Sequence, residues 1–210
     1  MKLAPQVVDI CQVFGPSPKV MTDMLKDGVN LAVWQRQLPA QVEDFCALVL
    51  SLGQTLADER VIDVDEQHPP QLPGLLREAA DLHGYEGFVA DVAWLVAAYT
   101  CLLGARRIGF RLRVLDGAMC PRFHVDNVPV RLLTTYAGSG SQWLEEGAID
   151  RSRLQLDQPA VDNIRQLAAG DVALLKGEKW IGNEGAGLIH RSPLTAPGER
   201  RLLLSLDWLA

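Results

Sequence analysis

The chain has 210 residues, 48% hydrophobic and 22% charged; this is enough apolar material for a buried core and excludes a disordered tail or a linker-rich scaffold. Twenty basic residues against 26 acidic ones leave a net charge of −6, which repels phosphate backbones and argues against nucleic acid as a partner. The cysteines, Cys11, Cys46, Cys101 and Cys120, stand far apart with no C-x-x-C pair, the pattern of reduced thiols in a cytoplasmic protein rather than of a disulfide framework.

The start, Met1-Lys2-Leu3-Ala4-Pro5-Gln6, lacks the apolar stretch of a secretory signal. Helical signals come next. After Pro39, Glu43 and Asp44 suit a helix N-terminus. Val42, Phe45, Cys46 and Val49 then repeat at i, i+3, i+4, i+7 until Gly53 closes the run. Pro69-Pro70 marks a loop, and a shorter helix is predicted over 72–82, broken at Gly84. The strongest helix runs over 85–104. Phe88, Val92, Leu95, Tyr99 and Leu102 line one face, and Val89, Ala93 and Val96 widen it. Its uncharged part, 92–105, falls short of the ~20 residues of a membrane span, so it reads as a buried core helix and no membrane segment is expected.

The period then changes. Ile108, Phe110, Leu112 and Val114 alternate with Gly109, Arg111, Arg113 and Leu115, which predicts a strand with one buried face. Further strands are predicted over 122–126, 131–136, 172–175, 187–190 and 201–208, with Gly and Asp in most of the gaps. Helices followed by strands indicate an α+β protein. The expected arrangement is a helical N-terminal region, 1–105, bracing a C-terminal β-sandwich or barrel, 106–210, in one compact unit.

The chemistry gathers in the strand-rich half. In a strand, residues two apart point to the same side, so His124 and Asp126 can reach one ion together. His190 lies on a later predicted strand. Two histidines and one carboxylate form the facial triad of non-haem Fe(II) oxygenases, which leaves three positions of an octahedron open. Cys120 has the same parity as His124, with Pro121 between them. If its thiolate joins, the set becomes Cys, His, Asp, His, a closed site that favours zinc. A zinc-binding or metal-handling protein without oxygen chemistry is therefore the competing reading, and a jelly-roll binding module without metal is a third.

The order of motifs carries a resemblance. His124-Val125-Asp126 is followed by Arg131, Thr134 and Tyr136 on one strand, then Gly138-Ser139-Gly140, then Gly170-Asp171-Val172, then His190-Arg191-Ser192-Pro193 and Gly198-Glu199-Arg200. Over roughly residues 107–208 this resembles the Fe(II)/2-oxoglutarate-dependent dioxygenase superfamily, its prolyl-hydroxylase-like branch in particular. The whole chain also resembles a bacterial family catalogued as a domain of unknown function. The resemblance implies a double-stranded β-helix core of the jelly-roll, cupin-like kind, with Fe(II) on His124, Asp126 and His190. It implies 2-oxoglutarate as cosubstrate, with its far carboxylate on Arg200, the basic residue ten positions after His190. A guanidinium suits that task through bidentate donors. Arg201 is the adjacent alternative, since only one of the two can face the interior of a strand. Arg131 and Tyr136 are the other cosubstrate-binding candidates, Tyr136 as a hydroxyl donor with Thr134 on its face. Leu175-Lys176 stands where the branch has an aromatic residue, and Ala137-Gly138 follows Tyr136 in place of its usual pair. The implied reaction is hydroxylation of a small-molecule or peptide substrate. Trp143 and Trp180, in Gly-flanked loops, are candidate walls of its pocket.

Overall fold

The alternating stretch forms β4, Arg107–Leu115, in a computed structural model of the chain that describes residues 9–65, 68, 70–154 and 161–209. Ile108, Phe110, Leu112 and Val114 are buried on one face. Next to β4 lies β10, Arg201–Trp208, which also pairs antiparallel with β5, Val130–Ala137. β8, Val172–Lys176, continues the sheet beyond β5. A second, smaller sheet holds β6 (Gln142–Trp143), β7 (Arg165–Gln166) and β9 (His190–Arg191) in the order β7-β6-β9.

The N-terminal region departs from the expected run of helices. It contributes β1, Cys11–Gly15, β2, Val29–Trp34, and β3, Ala57–Asp63, and the large sheet has the order β1-β2-β8-β5-β10-β4-β3. β2 is buried at every position from Val29 to Val33. A strand covered on both faces shows no alternation, so periodicity is silent there. β3 is an edge strand carrying Asp58, Glu59, Arg60 and Asp63, charges that protect an open edge but hide a strand from a hydrophobic pattern. The helix predicted over 72–82 is instead a series of turns with one short 3-10 segment, Arg77–Ala79, and Leu76 is buried with φ 45°.

Two helices form where expected. α1 spans Ala40–Ser51 and α2 spans Tyr85–Leu103. α2 is long and apolar enough to cross a bilayer by length and composition; here Phe88, Val92, Leu95 and Val96 are wholly buried. They join Phe45 of α1 and the even-numbered side chains Leu202, Leu204 and Leu206 of β10 in one core on the helix side of the large sheet. Each such apolar side chain contributes ~1.5–3 kcal/mol through burial. A second core lies on the opposite face of the same sheet. Leu31, Val33, Leu133, Ala173, Leu175 and Leu203 pack there with Trp143 and Leu188, from the smaller sheet and its approach. The odd-numbered residues of β5 and β10 thus face the space between the two sheets, where the candidate centre is built.

Candidate metal centre

His124 and His190 are paired by backbone. The amide of each donates to the carbonyl of the other at 3.0 Å, an isolated antiparallel bridge that extends the small sheet beyond β9. Residues directly opposite in such a pair carry their side chains on one side, and the two imidazoles stand 4.6 Å apart, centre to centre. Asp126 follows two positions after His124 on the same side. Its loop is fixed to the end of β8: Glu178 N–H donates to Asp126 O at 3.0 Å, and Gly177 N–H donates to Pro129 O at 2.9 Å. Position 177 must be glycine for this approach, because a Cβ there would overlap the carbonyl oxygens of Val128 and Asp126.

The three donor groups lie within 4.8 Å of one another. Asp126 Oδ1 is 3.6 Å from His124 Nε2, and Asp126 Oδ2 is 3.3 Å from His190 Nε2. Each imidazole turns its Nδ1 to a backbone carbonyl, His124 to Arg122 O at 2.9 Å and His190 to Leu188 O at 3.2 Å. A carbonyl only accepts, so Nδ1 carries the proton and Nε2 keeps its lone pair for an ion. Among the described residues Asp126 Oδ2 is buried without a hydrogen bond, although Arg131 Nη1 stands 2.8 Å away as an ion pair. Burial works to raise the Asp126 carboxyl; the two histidines and the Arg131 charge outweigh it and hold the group well below the usual carboxylate range. The neighbouring Asp126 carboxylate raises His124, against the effect of burial. Two imidazole nitrogens and one carboxylate fit a first-row divalent ion such as Fe(II), Mn(II) or Zn(II) better than Ca(II), which takes oxygen ligands.

The remaining candidates are distributed as follows. Arg131 faces the site: Nη1 meets Asp126, while Nε and Nη2 donate to Asp207 Oδ1 and Oδ2 at 2.6 and 3.1 Å. Asp207 also holds Arg111 Nη1 at 2.9 Å. Tyr136 faces away. With Val130 and Leu132 it lies in the helix-side core, where its hydroxyl donates to Asp91 Oδ2 at 2.6 Å, so of the two candidates on β5 Arg131 meets the site and Tyr136 does not, and Thr134 shares the face of Tyr136. Arg200 is half-buried and donates from Nη1 to Gln54 O at 3.1 Å. Arg201 is the interior member of the pair, 1% exposed. Cys120 is exposed and outside the three-residue cluster. Its N–H donates to Ser192 Oγ at 3.2 Å, and the same hydroxyl oxygen accepts from Arg201 Nη2 at 3.0 Å. Trp143 is packed in the inter-sheet core, and Trp180 packs against the helix-side core with Lys176 over its ring. Asp207 and Arg111 escaped the sequence reading. They meet Arg131 only through the register of β4, β10 and β5, which no local spacing encodes.

A cavity of about 420 Å³ opens beside His124, lined by Cys120, Pro121, Arg122, Phe123 and Leu154.

Among solved structures, the fold is similar to the dioxygenase for auxin oxidation in rice, with a TM-score of 0.50 and 13% identity over 96% of this chain and 83% of that one. A Shewanella oneidensis protein provisionally assigned as an oxygenase gives a TM-score of 0.50 and 10% identity over 95% and 90%. A Pseudomonas putida prolyl-4-hydroxylase gives 0.47 and 15% over 91% and 98%. At these identities the first two likenesses establish the fold alone, a double-stranded β-helix. No curated protein sequence matches the chain. Residues 15–207 match the family described as protein of unknown function DUF1826, and the chain belongs to that family.

Proposed function

We propose that the protein is an Fe(II)/2-oxoglutarate-dependent oxygenase of the cytoplasm, acting on a small-molecule or peptide substrate. The observation that carries this reading is the His-Asp-His cluster, with a buried guanidinium, Arg201, held by Ser192 two residues beyond His190. Among the described residues, Arg201 Nε and Nη1 are buried without hydrogen-bond partners, and Nη2 alone is engaged, by Ser192. A buried cation with no counter-charge among the described residues is costly, and burial pulls this guanidinium down to about 10; it still carries its charge at neutral pH. Ser192 follows His190 by two residues, about 7 Å along an extended chain. Arg201 is thus tied through Ser192 to the chain segment that carries His190, and its Nε and Nη1 are left for an anionic group.

In this reading His124 Nε2, Asp126 and His190 Nε2 hold iron, and Arg201 with Ser192 binds the far carboxylate of 2-oxoglutarate. Bound together, iron and 2-oxoglutarate supply oxidative decarboxylation, which yields succinate and CO₂ and places one atom of dioxygen in the substrate. Leu133, Leu175 and Leu203, packed between the sheets, keep water from the cosubstrate space. The cavity beside His124 admits the substrate. The order of motifs along the chain supports a hydroxylase of the prolyl-hydroxylase-like kind.

The test is anaerobic addition of Fe(II) and 2-oxoglutarate, read as a visible charge-transfer band. Wild type develops the band. Arg201→Met binds Fe(II) but loses the band, and Arg200→Met behaves as wild type. Folded wild type with bound Fe(II) and no band would overturn the oxygenase reading. Zinc remains the competing ion for the same three residues. Because Cys120 lies outside the cluster, Cys120→Ala is expected to leave Zn(II) affinity within about twofold of wild type.

A further inference from the structure

Asp126 has two oxygens to offer an ion, and a carboxylate that uses both consumes one of the positions the facial triad leaves open. The structure occupies one of them. Arg131 Nη1 stands 2.8 Å from Asp126 Oδ2 as an ion pair without a hydrogen bond, and the same oxygen lies 3.3 Å from His190 Nε2, so the cation competes with the ion for it. The guanidinium has little freedom to move. Asp207, across the strand pair from Arg131, takes both its Nε and Nη2. Asp207 is itself nearly inaccessible, with a side chain 3% exposed, and is held from the other side by Arg111. Three strands, β4, β10 and β5, thus converge on one buried carboxylate whose partner points a cation at the metal ligand.

An arginine present only to neutralise Asp207 has no need of Asp126. Arg111 already supplies one positive charge to Asp207, so the second is available to the site. The four groups Arg111, Asp207, Arg131 and Asp126 sum to zero charge. With both histidines neutral, the charge of a divalent ion is then left for an incoming anion.

We infer that Arg131 is a positioning residue that holds Asp126 Oδ2 off the metal, so that Asp126 meets the ion through Oδ1 alone and three coordination positions stay open. The inference rests on the metal-binding part of the function proposed above and is independent of the oxygenase reaction.

Mn(II) alone is the probe, and water-proton relaxation per bound ion is the readout, since it scales with the number of exchangeable waters on the metal. Wild type holds Mn(II) with three open positions. In Arg131→Met the freed Oδ2 takes one of them, and relaxation enhancement falls by about a third. Asp207→Asn leaves Asp126 untouched but unfastens Arg131, and moves the value in the same direction. Arg131→Lys keeps a cation in place and stays nearer wild type. If Arg131→Met does not fold, Arg131→Gln replaces it with a polar side chain. Folded variants at positions 131 and 207 that bind Mn(II) with wild-type relaxation overturn the positioning role while the metal site stands. Wild-type protein that holds no Mn(II), Fe(II) or Co(II) overturns both.

Discussion

Asp91 is a single charge in the middle of an apolar helix, and its partners explain it. Arg36 Nη1 and Nη2 donate to its two oxygens at 2.7 and 2.9 Å, Arg36 Nε donates to Gly170 O at 2.9 Å, and the Tyr136 hydroxyl completes the group. Asp91→Asn leaves Arg36 buried without a counter-charge, and a loss of ~3–5 kcal/mol is expected in urea unfolding. Tyr136→Phe removes one charge-assisted hydrogen bond and should cost ~1.5–3 kcal/mol with Mn(II) affinity unchanged; a variant that binds Mn(II) tenfold more weakly would place Tyr136 in the site after all. The metal cluster itself was legible because it needs only period two and one distant histidine. The parity of β5 was not. Val130, Leu132 and Tyr136 are buried on one face, and Leu133 and Thr135 on the other. A central strand covered on both sides offers no hydrophobic contrast by which to choose its inward face. The same parity problem separates Arg200 from Arg201, which only the register of β10 against β4 resolves.

At the level of elements, the strand pairing sets the site. β10 was legible over its whole length, and β4 nearly so, because both carry long apolar alternations. Of the strands predicted over 122–126 and 187–190, only His124, in an isolated bridge, and His190, at the start of β9, are paired; β6 and β7 have two residues each, too short for any period to register. The contact between the end of β8 and the loop 126–129 is equally local in space and distant in sequence. Gly177→Ala forces these backbones apart. The expected result is a loss of ~1–3 kcal/mol in thermal or urea unfolding together with about tenfold weaker Mn(II) binding, since Asp126 shares the displaced loop. A variant destabilised by that amount with wild-type Mn(II) affinity would show that Asp126 does not depend on this contact.

For the whole molecule, one large sheet serves two cores, so events at the metal reach global stability. An ion that binds only the folded chain stabilises it by ~2.7 kcal/mol at a hundredfold excess over Kd, and Mn(II) should raise Tm by roughly 5–10 °C for a chain of this size; His124→Ala should show no such rise. The metal-free protein has its own pH dependence. Asp126 is depressed, so its contribution is present above about pH 4 and is lost as pH falls toward its folded value. His124 is raised, so its contribution is full below about pH 6.5 and is lost as pH rises through the folded value. The two overlap in mildly acidic solution, where the contribution of this pair to Tm should be greatest. Mn(II) displaces the imidazole proton, so its stabilising effect should grow toward neutral pH; equal Mn(II) shifts in Tm at pH 5 and pH 7.5 would contradict this. The reciprocal backbone pairing of His124 and His190 adds a kinetic consequence. An ion held by both imidazoles closes a ring around those two amide hydrogens, and neither can open to solvent while the ring is intact. Their exchange into deuterium then follows the departure of the metal, so the two amides act as a clock for its residence time, slow in the loaded protein and fast once a chelator is added.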